Sequence, residues 1–290
     1  MADNLNLIPQ GSGSLLDMQY VRLSGTDALA FAQAQFANDV LPLTVGQWQW
    51  NAWLTAKGRV IAIFALLRED DAQLLMLLPD GNASAIAAQL QRFVFRRKLA
   101  VQLPTLTTVG RLAAPVRARG AQADLAATGI ELDMGSAELP RSLQVVDAAA
   151  LTTSIALPVL DADWRKADLR LGLARLDESQ REQWTPQQLA LDRLQAVSVK
   201  KGCYPGQEIV ARTHFLGKAK RALQLLQVEG VPAPGDPVAL DGAEIGSVVS
   251  SAGPLALAVL PLELAITPGL ALSAAGQAAA PVTLLPGLER

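Results

Sequence analysis

The sequence predicts an α+β fold that ends in a small β-barrel. Two observations carry the prediction. Across roughly the first hundred residues, strand-like apolar runs alternate with segments of helical spacing, and from Arg221 onward helical spacing gives way to short β runs separated by proline and glycine. A domain boundary is therefore expected between an α+β body over residues 1–220 and a barrel over residues 221–290.

Taken in order, Gly11-Ser12-Gly13-Ser14 lacks the lysine and helix of a phosphate loop and reads as a flexible N-terminal segment. Gln19 to Leu23 is a short strand, and Ser24-Gly25-Thr26-Asp27 offers capping side chains to a helix running to about Ala37. Trp48 to Trp53, the turn Ala56-Lys57-Gly58-Arg59 and the apolar runs Val60 to Leu67 and Gln73 to Leu78 form antiparallel hairpin structure. Pro79-Asp80-Gly81-Asn82 is a turn, and Ala83 to Phe95 is a helix whose end carries Arg96, Arg97 and Lys98, where cations suit the dipole. The order strand-helix-strand-strand-helix-strand is ferredoxin-like. A second α+β unit follows, with strands at Val109 to Leu112, Leu143 to Val146 and Ser154 to Leu157 and a helix at Ala121 to Ala127. Ala162 to Leu173 and Pro186 to Leu191 are further helices. Barrel strands are expected at Ala222 to Val228, Pro237 to Leu240, Ile245 to Ser250, Leu255 to Val259 and Val282 to Leu285.

Half of the 290 residues are hydrophobic, enough to bury a large core, and the net charge of −2 argues against an overall electrostatic grip on nucleic acid. No direct nucleic-acid binding is expected. The cluster Arg92, Arg96, Arg97 and Lys98 has Phe93 and Phe95 interleaved, a pattern that suits single-stranded RNA, but helical spacing turns both rings toward the core. The apolar stretch Leu255 to Leu272 is interrupted by Pro261, Glu263 and Pro268, short of the roughly 20 residues a spanning helix needs. No membrane segment is expected. One cysteine and an N-terminus without a secretory pattern point to the cytoplasm.

That cysteine, Cys203, and the single histidine, His214, stand in one run: Lys200-Lys201-Gly202-Cys203-Tyr204-Pro205-Gly206-Gln207-Glu208-Ile209-Val210-Ala211-Arg212-Thr213-His214. Pro205 to Glu208 reads as the first turn of a short helix, which places Cys203 just before a positive helix end, between Lys200 and Lys201 upstream and Lys218, Lys220 and Arg221 downstream. Such surroundings favour the thiolate, so an activated nucleophile is expected. A lone cysteine can also be a small buried hydrophobe, and His214 beside Phe215 and Leu216 more often has a structural role. No thiolate-rich metal site can be built from one cysteine.

Lys201-Gly202-Cys203-Tyr204-Pro205-Gly206-Gln207-Glu208 resembles the K-G-C-Y-x-G-Q-E signature of the YgfZ family, folate-binding proteins related to the T-protein, the aminomethyltransferase of the glycine cleavage system. The similarity extends through Leu23 to Asp27, Gln35 to Val40, Ala56 to Arg59, Trp164, Gly172 and Thr185-Pro186-Gln187. It implies a T-protein-like folate-binding body of two ferredoxin-like α+β units with a C-terminal barrel, around a central channel. It implies tetrahydrofolate or a derivative as cofactor, and iron-sulfur enzymes or cluster assembly proteins as partners, with an influence on tRNA modification. Cys203 is then the essential residue. Trp164 matches a tryptophan at the family's folate site, and Arg170 falls where the T-protein has its pterin-holding carboxylate. The same resemblance brings Lys201, Gly202, Tyr204, Gly206, Gln207, Glu208 and Arg212 to the cofactor, Gly202 and Gly206 allowing close backbone approach. The second tryptophan of the family falls on Met18 or Tyr20. The catalytic aspartate of the T-protein falls on Ile61 or Ala62, neither of which can act as acid or base, while Asp39 and Glu69 nearby suit capping and solubility. Aminomethyl transfer by that route is not expected; the alternative is a tetrahydrofolate-dependent one-carbon transferase using Cys203.

Overall fold

A computed structural model describes residues 12–150, 159–215, 217, 219–262 and 271–290. The described residues form two five-stranded antiparallel sheets and a closed six-stranded barrel. Strand β1 (Ser12–Ser14) belongs to the second sheet; β2 (Gln19–Ser24), α1 (Ala28–Gln35), β3 (Trp48–Leu54), β4 (Val60–Arg68), β5 (Gln73–Leu78), α2 (Ala83–Gln91) and β6 (Ala100–Gln102) build the first. Its strand order is β3-β4-β5-β2-β6. Three consecutive strands stand between the helices, one more than the ferredoxin-like order predicts.

The first sheet is buried on both faces, which explains why β4 and β5 read as unbroken apolar runs. One face packs Phe31, Phe36, Phe64, Ile86 and Leu90 under the helices. The other packs Trp48, Trp50 and Tyr20 with Leu132 and Leu143 of the second sheet, Trp164, and Leu223, Leu225 and Leu257 of the barrel, so one core ties the three parts together.

The second sheet has the order β1-β7-β10-β9-β8, with β7 (Leu106–Arg111), β8 (Asp124–Ala126), β9 (Gly129–Asp133) and β10 (Ser142–Asp147). Two expectations are corrected here. Ser12 to Ser14 is no loose segment, since it pairs in register with Val109 to Arg111. The expected helix at Ala121 to Ala127 is an edge strand and its approach: the Ala121 carbonyl accepts from Trp48 N and Ala123 N donates to the Gly46 carbonyl, so the groups a helix needs are taken by the first sheet. The expected strand at Ser154 to Leu157 lies outside the described residues.

Helix α3 (Asp161–Arg170) packs on the barrel and ends before Gly172, whose φ of +77° stops it short of Leu173. Pro186 to Leu191 is a set of turns rather than a helix, with Ala190 at φ +50°. After α4 (Gln207–Phe215) come the barrel strands β11 (Arg221–Val228), β12 (Pro237–Leu240), β13 (Ala243–Ala252), β14 (Leu255–Pro261), β15 (Leu272–Ala274) and β16 (Gln277–Val282), closed by β16 on β11. The last expected strand lies earlier than predicted: only Val282 of Val282 to Leu285 belongs to β16. Residues 283–290 return to the body, where Trp50 Nε1 donates to the Leu288 carbonyl at 2.8 Å and Arg290 donates to the carbonyls of Asp133 and Gly135. Among the described residues no helix is long and apolar enough to cross a membrane.

Helix α2 stops at Gln91, and the next three amides bond three residues back instead of four, at Arg92, Phe93 and Val94. This tightening rotates the face, so Val94 enters the core while Phe93 is 49% and Phe95 86% exposed, contrary to the inward placement that continued helical spacing predicts.

Candidate functional site

The signature run forms a tethered loop leading into α4, and its construction starts at the end of α1. The last helical bond of α1 runs from Phe36 N to the Ala32 carbonyl; Ala37 N turns to the Ala52 carbonyl and Asn38 N to Asn51 Oδ1. The carbonyls at the helix end are thereby left without their usual donors. Lys201 supplies them. Its Nζ donates to the carbonyls of Gln33 at 2.7 Å, Phe36 at 2.7 Å and Asn38 at 2.9 Å, with the residue 5% exposed. Burial pulls this ammonium down to about 8, with Asp39 opposing. All three ammonium protons are committed, so Lys201 holds the loop to α1.

Other members of the run serve the same end. Ser198 Oγ accepts from Lys200 N and Lys201 N, Ser198 N donates to the Ala37 carbonyl, and the Tyr204 hydroxyl donates to the Ser198 carbonyl at 3.3 Å. Tyr204 is buried, which pushes its phenol up to about 12. Gln207 Nε2 bonds the Lys201 carbonyl at 3.0 Å, closing the loop on itself. Gly206, at φ +81°, is where the backbone needs glycine: a Cβ there would lie 2.6 Å from the Thr55 carbonyl and 2.7 Å from Gly58 Cα. The start of α4 thus sits directly on the β3–β4 turn. Gly202 differs, since a Cβ there meets nothing within 4 Å; close approach is a property of Gly206 and not of Gly202.

What this scaffold presents is Cys203, exposed beside Gly202, with Glu208 and Arg212 also exposed on α4. Lys200 is exposed as well, whereas Lys218 lies outside the described residues. His214 sits at the far end of α4, seven residues beyond its start and about 10 Å along the axis at 1.5 Å per residue. It is exposed and stacks edge-on against Phe215, and among the described residues no hydrogen bond joins it to Cys203.

Trp164 and Arg170 stand on α3, apart from this loop in their contacts. Trp164 is 1% exposed, with the Arg141 guanidinium 4.6 Å from its ring centroid and Gly110 cradling its edge. Arg141 is itself buried against Asp168 at 2.6 Å, and Asp168 also holds Arg175 at 2.8 Å. Burial pulls the Arg141 guanidinium down, with Asp168 opposing. Arg170 is exposed, and its carbonyl accepts from Leu285 N. Of the residues expected at the folate, the Trp164 indole is covered and the Lys201 ammonium, the Tyr204 hydroxyl and Gln207 Nε2 already have protein partners, while Arg170, Glu208 and Arg212 present open polar groups. Ile61 and Ala62 are buried in β4, and Ile61 lines a cavity of about 630 Å³ with Ile86, Arg92, Glu178, Arg181 and Glu182. Glu69 is paired with Arg22 at 2.7 Å and Asp39 accepts from Gln33 Nε2, structural tasks for both carboxylates.

Sequence reasoning does not reach Asn38, Asn51 and Ser198, which fasten the loop. Asn38 Nδ2 donates to the carbonyls of Trp50 and Gln195, joining β3 to the segment that enters the signature. Asn51 accepts from Asn38 N and Ala52 N while its own Nδ2 is buried without a partner. An asparagine in a strand that should read apolar is the available signal.

Comparison with known proteins agrees with this architecture. Residues 220–286 match the family model described as the CAF17 C-terminal beta-barrel domain. The chain is 31% identical over 219 residues to the tRNA-modifying protein YgfZ of Colwellia psychrerythraea, covering 70% of this chain and 67% of that protein. It is 30% identical over 244 residues to the tRNA-modifying protein YgfZ of Vibrio vulnificus, covering 79% and 74%. In three dimensions it superposes on the glycine cleavage system aminomethyltransferase T of Bartonella henselae with a TM-score of 0.75 at 18% identity, covering 95% of this chain and 85% of that one.

Proposed function

The chain belongs to the YgfZ family, and from that premise we propose that it is a folate-binding accessory protein of tRNA modification, acting through Cys203 in support of iron-sulfur cluster assembly or repair. The tRNA-modification role follows from the relatives, and the finer assignment is our own. The observation that carries it is the loop: Lys201, Ser198, Tyr204, Gln207 and Gly206 are spent on holding a turn whose exposed members are Gly202 and Cys203. A fold that fixes so short a segment at so many points, and leaves its thiol outside, is built to present that thiol.

The chain has one cysteine, and iron-sulfur clusters take several thiolates. Cys203 therefore acts as a ligand shared transiently with a partner that brings the others. Tetrahydrofolate, when bound, supplies one-carbon chemistry; the Trp164 indole, covered here, would have to be uncovered to stack on its pterin. A tetrahydrofolate titration followed by tryptophan fluorescence, on the wild-type chain and on Trp164→Phe, tests that part. We further take residues 1–220 and 221–290 as the folate-binding and barrel units.

The test of the function uses cells that depend on this chain for iron-sulfur enzyme activity. Cys203→Ala at wild-type abundance is expected to leave those activities low. Full activity would remove the thiol from the account, and turnover of methylene-tetrahydrofolate with an amine or thiol by the purified wild-type chain would establish the one-carbon transferase instead.

A further inference from the structure

The segment Arg92-Phe93-Val94-Phe95-Arg96-Arg97-Lys98 stands in contrast to the rest of this slightly acidic chain. It holds four cations and no carboxylate, and all four are exposed. Among the described residues none of the four is in an ion pair. The two phenylalanines lie on the surface with them. Phe93 meets the edge of Trp53 at 6.1 Å between centroids, and Phe95, 86% exposed, has the Arg96 guanidinium 5.2 Å from its ring centroid.

Phe95 also occupies the left-handed region, at φ +48°. For a bulky residue that conformation is unfavourable, and here the side chain gains almost no burial to offset it. A strained backbone holds an aromatic ring out in solvent with the Arg96 guanidinium beside it, while the Arg97 guanidinium lies over Phe31, 5.9 Å from its ring centroid. Charge alone would suit an acidic protein, but exposed flat rings stacked with arginine are what unpaired bases bind, while the cations meet the phosphates between them.

We propose that this turn at the end of α2 is a docking surface for an unpaired stretch of RNA, with Phe95 and Phe93 as stacking platforms and Arg92, Arg96, Arg97 and Lys98 as phosphate contacts. The surface gives the chain a direct hold on an RNA substrate, separate from the thiol. It does not depend on the role proposed for Cys203.

Fluorescence anisotropy of a labelled unstructured RNA 12-mer, titrated with the full chain at low salt, tests the proposal. Phe95→Ala, at an exposed position, is expected to weaken binding about tenfold, the loss of one stacked base. An unchanged melting temperature would show that the fold is intact. With about 0.7 per phosphate contact on a single strand, four cations give a slope of log affinity against log salt of about −3. The triple variant Arg96→Gln, Arg97→Gln, Lys98→Gln should bring it to about −1. Duplex RNA of equal length should bind more weakly, and Cys203→Ala should bind as wild type. The proposal is overturned if the 12-mer does not bind, if Phe95→Ala leaves its affinity unchanged, or if heparin binds equally well to wild type and Phe95→Ala while the 12-mer does not discriminate them, which would make the patch a general anion surface suited to an acidic protein.

Discussion

Replacing Lys201 by methionine keeps the aliphatic stem and removes only the three donors that close the end of α1. The carbonyls of Gln33, Phe36 and Asn38, now bonded at 2.7, 2.7 and 2.9 Å, lose their partner where water has little access, since Lys201 is 5% exposed. An unsatisfied buried carbonyl costs on the order of 1 kcal/mol, so three cost about 3 kcal/mol. For a chain of 290 residues the unfolding entropy is about 0.6 kcal/mol/K, which converts that loss to a fall of about 5 °C in melting temperature. Calorimetry measures it. The same substitution unfastens the signature loop, so amide exchange over residues 198–206 should accelerate while exchange in β4 stays slow. A melting temperature within 1 °C of wild type together with unchanged exchange in the loop would refute the assignment of Lys201 as its anchor.

The glycines of the run make opposite predictions. Gly206→Ala places a methyl group against backbone at 2.6 Å and should destabilise the chain by about 2 kcal/mol or more, whereas Gly202→Ala meets open space and should leave the denaturation midpoint unchanged. Asp80 gives a pH dependence. Burial pushes its carboxyl from 3.8 to about 6, with Arg181 opposing, so the native state holds the proton more tightly than the unfolded chain. Its contribution is present in full below pH 3.8 and lost as pH rises through about 6, at most about 3 kcal/mol, and Asp80→Asn, which keeps the acceptor for Leu176 N, should flatten the stability profile in that window. An identical profile for the variant would contradict the burial. Trp164→Ala should cost about 3 to 5 kcal/mol as a core deletion, detectable by urea unfolding, and a near-neutral result would mean that the indole is not part of the core.

The parts of the fold that could be read from sequence are those decided locally. Val60 to Leu67 reads as a buried strand because every position is apolar, and the barrel shows itself through the spacing of proline and glycine between short β runs. Ala121 to Ala127 reads as a helix because alanine favours one, yet its backbone bonds go to Gly46 and Trp48, far away along the chain. Phe93 and Phe95 are misplaced by sequence for a related reason: a change of hydrogen-bond step at the end of α2 leaves no mark in residue type. At the site, Cys203 and Gly206 are legible because a lone thiol and a glycine in a charged turn are conspicuous. The role of Lys201 is not, because its partners lie more than 160 residues upstream and are carbonyls, which every residue possesses. Trp164 shows the converse, a residue singled out by family resemblance that the structure packs against Arg141 and Gly110.

The tethered loop exists to present a working thiol, and that role can be measured. It is tested most directly by quantifying modified tRNA nucleosides by mass spectrometry in cells whose only copy of this chain is wild type or Cys203→Ala, with protein abundance and melting temperature measured in parallel. Because Cys203 is exposed, the variant is expected to match wild type in abundance and melting while the modified nucleosides fall to the level of cells lacking the chain. Wild-type levels of modified nucleosides with Cys203→Ala would contradict the account.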